Sequence, residues 1–137
     1  MNDYRKKELP LRVIFVTAPP KEAKRIARQL VAERHVACAN LIPGLTSFYW
    51  WDGKLNCDRE TLIVMKTPPR NIPALLKRLK QLHSYAVPEF IALPVLEANP
   101  DYVNWVNKET LPNEVRFTAE DAKDAKENNI KCVIKLR

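Results

Sequence analysis

Two long extended stretches, Val36 to Trp51 and Lys54 to Thr67, flank one Asp52-Gly53 pair, and this arrangement narrows the available folds more than any other feature of the chain. Asp-Gly suits a two-residue type I′ hairpin, because both central positions require positive φ. Globular strands average roughly five or six residues, so arms of about twice that length project beyond the domain that carries them. The end of the hairpin holds Phe48-Tyr49-Trp50-Trp51, four of the eleven aromatic residues. Rings placed that far from their own core are expected to be covered by another chain, since burying each is worth roughly 1.5–3 kcal/mol. Pro43-Gly44 interrupts the first arm and predicts a bulge or kink there.

The flanking segments supply the other elements. Leu11 to Thr17 is a short β-branched run stopped by Ala18-Pro19-Pro20, as a buried strand should be. From Lys21 to Arg34, Ala23, Ile26, Ala27, Leu30 and Val31 recur at helical spacing. Asn71 is the expected N-cap of a second helix with the stripe Ile72, Leu75, Leu76, Leu79 and Leu82, closed by His83-Ser84-Tyr85. Pro88 to Glu97 reads as a fourth strand whose Pro94 demands an edge or a bulge. Asn99-Pro100-Asp101 opens a short last helix carrying Tyr102, Val103, Trp105 and Val106. The order βαββαβ predicts an α+β, ferredoxin-like sandwich with an antiparallel sheet, an extended hairpin between the second and third strands, and a short C-terminal helix. Its helices cover one sheet face, yet the strands are apolar on both, so the second face calls for identical subunits.

With 137 residues the chain holds one domain plus tails. Residues 1–10 read as an N-terminal tail, 11–111 as the domain, and 112–137 as an extension with a weak helix and one strand, in which Ile130, Cys132, Ile134 and Leu136 alternate. The charged N-terminus and the lack of a long apolar run predict a cytoplasmic protein without a membrane partner. Cys38, Cys57 and Cys132 are odd in number and irregular in spacing, which argues against a disulfide framework and against a zinc finger. The net charge of +7 lies mostly on the two helices, where Lys21, Lys24, Arg25, Arg28, Lys77, Arg78 and Lys80 face outward. That is read as a solvated surface, with a polyanion-binding face as the alternative. RNA binding is not expected, because Val13-Ile14-Phe15-Val16 and Leu62-Ile63-Val64-Met65 lack the aromatic pattern of an RNA-recognition sheet. Gly44 and Gly53 are the only glycines, so no glycine-rich phosphate loop exists. No catalytic constellation emerges, and an enzyme is not expected.

Six segments go further: Val16 to Pro19, Ala37 to Gly44, Ser47 to Lys54, Met65 to Thr67, Tyr85 to Glu89 and Leu93 to Val95, followed by Tyr102 and Trp105. In these residues the chain resembles the CutA family of divalent-cation tolerance proteins over roughly residues 11–111. The resemblance implies a PII-like homotrimer in which the aromatic run Phe48, Tyr49, Trp50 and Trp51 packs on the next subunit. It also implies a role in tolerance to copper and other divalent ions, with copper or another divalent ion as an optional ligand and no required cofactor. Cys38 matches the family cysteine and, with His83, is the candidate metal site; the competing readings are a buried small hydrophobe and a plain helix-end residue. The chain departs from copper-binding relatives in having Val16 where some carry cysteine, and a single histidine at His83. Lys66, Tyr85 and Glu89 match polar family positions and are candidates for an inter-subunit cleft, with a structural Lys66–Glu89 ion pair as the alternative. The competing function is sensing of a small anionic ligand or a partner protein at such clefts.

Overall fold

The computed structural model describes residues 7–112. Four strands, β1 (Arg12–Ala18), β2 (Cys38–Trp51), β3 (Lys54–Thr67) and β4 (Ile91–Pro94), form one antiparallel sheet in the order β2-β3-β1-β4. Helices α1 (Pro20–Ala32) and α2 (Ile72–Leu82) cover one face, and α3 (Pro100–Glu109) follows β4. This is the expected ferredoxin-like arrangement. The core lies between sheet and helices: Ile14, Val16, Ile63 and Met65 from the strands meet Ile26, Leu30, Leu75 and Leu79, all fully buried. These are the inward positions of period-two strands and period-3.6 helices.

The hairpin closes as Asp-Gly requires, with φ of 51° at Asp52 and 71° at Gly53. Each arm is 14 residues long. At the kink the register steps from Ile42 opposite Leu62 to Leu45 opposite Glu60, and Gly44 takes a φ of 81°. Pro43-Gly44 therefore inserts one extra residue opposite Thr61, the bulge that the sequence predicts.

Three expectations need adjustment. The fourth strand is four residues long, Ile91–Pro94, instead of spanning Pro88 to Glu97, and it stops at Pro94, which has no amide to carry the ladder on. It is an edge strand, as Pro94 demands. Asn71 makes no side-chain cap bond, since a 3₁₀ turn, Pro69–Asn71, leads into α2 and leaves Asn71 in helical geometry. Asn99, by contrast, caps α3 by accepting the Asp101 amide at 3.0 Å. The second sheet face is covered at one end only: Leu11, Val103 and Val106 form a small cluster with Leu9, Ala37, Val95 and Tyr102. Leu9 also donates its amide to the Val95 carbonyl at 2.8 Å, which ties the end of the N-terminal segment to the domain. Beyond that cluster Ile42, Ile91 and Leu93 stay exposed. The predicted helix and strand of the C-terminal extension, with Cys132, lie outside the described residues. Among those residues no helix is long and apolar enough to cross a membrane. Lys21, Lys24, Arg25, Arg28, Lys77 and Lys80 are exposed as expected, while Arg78 pairs with Glu33 at 2.9 Å.

Candidate functional site

The bulge decides what the hairpin presents to the rest of the chain. Without it, strand alternation would set Thr46 and Phe48 on the same face as Glu60, Leu62 and Val64. With the register shifted by one, Leu45, Ser47, Tyr49 and Trp51 take that face instead. The segment between α2 and β4 crosses in front of it, and the two enclose a cavity of about 680 Å³. Thr17 from β1, Ser47, Tyr49 and Trp51 from β2, and Glu60 from β3 line one side; Tyr85, Val87 and Glu89 line the other, and Phe48 reaches its edge.

His83 anchors the crossing segment. Its backbone caps α2, and its buried ring places Nε2 2.8 Å from the Thr17 carbonyl, while Nδ1 accepts the Tyr85 amide at 3.1 Å. An amide donor at Nδ1 assigns the hydrogen to Nε2, which donates to Thr17. Tyr85 packs beside the imidazole with ring centroids 4.7 Å apart and donates its hydroxyl to Glu60 Oε2 at 3.2 Å. Glu60 is only 5% exposed. Desolvation, then the Glu60 charge and the hydrogen bond to it, push the Tyr85 phenol far above its ordinary range, so it stays a donor. Partial desolvation, then the same charge, also raises the carboxyl of Glu89 at the rim. Tyr49 donates to Asp58 Oδ2, and this bond, followed by desolvation, raises its phenol as well. None of the lining residues carries positive charge.

Other sequence-derived candidates lie elsewhere. Cys38 is opposite Lys66, which is opposite Val13 at the start of β1, whereas His83 is bonded at Thr17 near its end. Those positions are about 13 Å apart along the strand. Cys38 is half-buried, with Sγ 3.3 Å from the Tyr102 hydroxyl. Both ring nitrogens of His83 are already engaged, so within one chain the pair does not converge on an ion. Among the described residues no cluster of three metal-ligating side chains occurs. Lys66 donates to Asn40 Oδ1 and is not among the residues around Tyr85 and Glu89. Within one chain the structure thus brings Tyr85 and Glu89 together with Glu60 and leaves Lys66 out. Glu60 was legible in principle: with Asp58 it is one of two acids that continue the alternation of Leu62, Val64 and Lys66 and that the bulge sets opposite the aromatic arm, and it is the one nearer the core. The four aromatic residues divide, with Phe48 70%, Trp50 74% and Trp51 53% exposed and Tyr49 partly covered.

Comparison with known proteins agrees with this architecture. The family model described as CutA1 divalent ion tolerance protein matches residues 12–109. A divalent-cation tolerance protein CutA of Thermus thermophilus is 46% identical over 99 residues, covering 72% of this chain and 96% of the relative. Mouse protein CutA is 48% identical over 97 residues, 70% of this chain, but the match spans only 55% of that longer protein. Among solved structures, the Thermus thermophilus Cut A1 protein superposes with a TM-score of 0.71 at 44% identity, covering 73% of this chain and 98% of its own. The PII-like protein CutA from Nostoc sp. PCC 7120, in apo form, does so with a TM-score of 0.70 at 35% identity, covering 73% and 97%. CutA is a tolerance and PII-like family and not a known enzyme family. With the matched model spanning β1 to α3 and the sheet order, arm and cavity in place, the chain belongs to the CutA family of divalent-cation tolerance proteins, with a PII-like fold.

Proposed function

We propose that the protein works as a homotrimer in the cellular response to divalent cations and that it acts by binding a small ligand at the Tyr85–Glu60–Glu89 cavity, without catalysing a reaction. The observation that carries the assembly is the projecting arm: Phe48, Trp50, Trp51 and Leu55 are each more than half exposed, beside the exposed Ile42, Ile91 and Leu93. Apolar surface of that extent calls for a partner, and a self-complementary closed ring covers it with identical copies. The cavity supports the second half of the reading, because a concave, mostly apolar space with a few buried polar groups is the usual form of a ligand site.

Direct copper binding is a second reading, favoured by the half-buried Cys38 thiol, a soft ligand on the incompletely covered sheet face. In that reading the remaining ligands come from a neighbouring subunit, with His83 available only after its bonds to Thr17 and Tyr85 break. Light-scattering mass combined with metal analysis of the same peak tests both readings. A metal-free trimer is the expected result. A monomer overturns the assembly, and near-stoichiometric copper that disappears in Cys38→Ser makes the second reading the correct one.

A further inference from the structure

We propose that the cavity between Glu60 and Glu89 binds a small organic ammonium ion, with the charged nitrogen between the two carboxylates and the hydrocarbon part against the rings of Tyr49 and Tyr85. This rests on the reading of the cavity as a ligand site and adds the chemical class of its ligand.

Charge comes first. Two carboxylates line the space and no lysine, arginine or histidine does. The deeper one, Glu60, is 5% exposed and is bonded to a neutral phenol at 3.2 Å, which satisfies an oxygen, and among the described residues no cation lines the cavity beside it. A buried charge without a counter-ion is costly, and a cation placed beside it removes that cost. The two carboxylates lie close enough to act on each other, since after desolvation the Glu60 charge adds to the rise of the Glu89 carboxyl. An anion would enter against both groups, which reverses the sign of the cleft ligand expected from sequence.

Size and wall chemistry then separate an organic cation from a metal ion. About 680 Å³ lies within the range of small-molecule sites, roughly 300–1,000 Å³. A bare divalent ion needs several converging ligand atoms, and among the described residues no group of three metal-ligating side chains exists. Aromatic rings make up much of the wall, and an ammonium is attracted to ring faces while its methylenes are buried against them. Tyr49 is bonded to Asp58 and Tyr85 to Glu60, so two of the rings are held in place before any ligand arrives.

The test uses the full chain and three probes of similar shape and different charge: phenethylammonium, 3-phenylpropionate and 2-phenylethanol. Calorimetry measures affinity, and ring resonances of Tyr49 and Tyr85 report location. The expected result is that only the ammonium binds and shifts those resonances, with affinity falling by about tenfold or more in Glu60→Gln and in Glu89→Gln. The rim position of Glu89 keeps that variant informative should Glu60→Gln fold poorly. Lys21→Gln, on the exposed face of α1, leaves affinity unchanged. Preferential binding of the carboxylate or the alcohol at Tyr49 and Tyr85 overturns the ammonium assignment while leaving a ligand site in the cavity. No shift with any of the three overturns the cavity reading itself.

Discussion

Tyr85 donates its hydroxyl to Oε2 of Glu60 across 3.2 Å and so joins the segment after α2 to the middle of β3. Because Glu60 is almost wholly buried, losing its donor leaves a carboxylate without compensation. Tyr85→Phe is expected to cost about 1–3 kcal/mol, the penalty for an orphaned buried polar group. Glu60→Gln, whose neutral amide oxygen still accepts the bond, is expected to cost less. Urea denaturation measures both, and a Tyr85→Phe midpoint equal to wild type would show that the bond contributes nothing net.

Glu89 gives the fold a pH dependence with a definite sign. Desolvation and then the Glu60 charge raise its carboxyl above the ordinary carboxylate value, so the folded chain binds this proton more firmly than the unfolded chain. Its contribution to stability therefore falls as pH rises from the ordinary value through the raised one, and is constant above it. Denaturation midpoints of wild type and Glu89→Gln, compared at fixed protein concentration across roughly pH 4 to 7, isolate this slope. The wild-type curve is expected to decline relative to the variant with increasing pH. A relative rise would contradict the environment assigned to Glu89.

His83 is expected to matter for stability before it matters for metal. Its ring is buried, bonds the Thr17 carbonyl and the Tyr85 amide, and packs on the Tyr85 ring. His83→Ala removes both bonds and opens a cavity beneath the crossing segment, a loss of about 2–4 kcal/mol. Calorimetric melting together with copper binding checks the assignment. Lost copper with unchanged melting would identify a ligand; lowered melting with unchanged copper identifies an anchor.

These consequences trace to features of unequal legibility in the sequence. The Asp52-Gly53 turn, the two helical stripes and the bulge at Pro43-Gly44 are local signals, and each forms where the residues place it. The fourth strand is shorter than its apolar run and ends at Pro94, which pairs with Arg12 but has no amide to carry the ladder on. The family resemblance and ligand chemistry join Cys38 and His83; the distance between them along β1 is a property of register, which emerges only when the strands are paired. Glu60 shows the same limit in reverse: sequence marks it only by its place in the β3 alternation, and its role comes from Tyr85, 25 positions away, held in place by an imidazole.

Trp50 separates stability within one chain from stability of the proposed trimer. It is 74% exposed, and neighbouring Phe48 70% exposed, so neither ring contributes much to the fold of its own subunit. The hairpin that carries them is closed by backbone pairing from Trp51 opposite Lys54 to Leu45 opposite Glu60, which a change of side chain at position 50 leaves intact. Trp50→Glu is therefore expected to lower the mass in light scattering from trimer towards monomer while the circular dichroism of the dissociated chain stays close to that of wild type. In the proposed trimer, burial of each such ring is expected to contribute roughly 1.5–3 kcal/mol, and a charge in its place to add the cost of desolvating a carboxylate. Melting of the wild type is expected to depend on concentration, as for any oligomer whose subunits gain stability by association, and that of Trp50→Glu is expected not to. A variant that remains trimeric would place the subunit contact elsewhere, and the exposed row of Ile42, Ile91 and Leu93 would then be the surface to change.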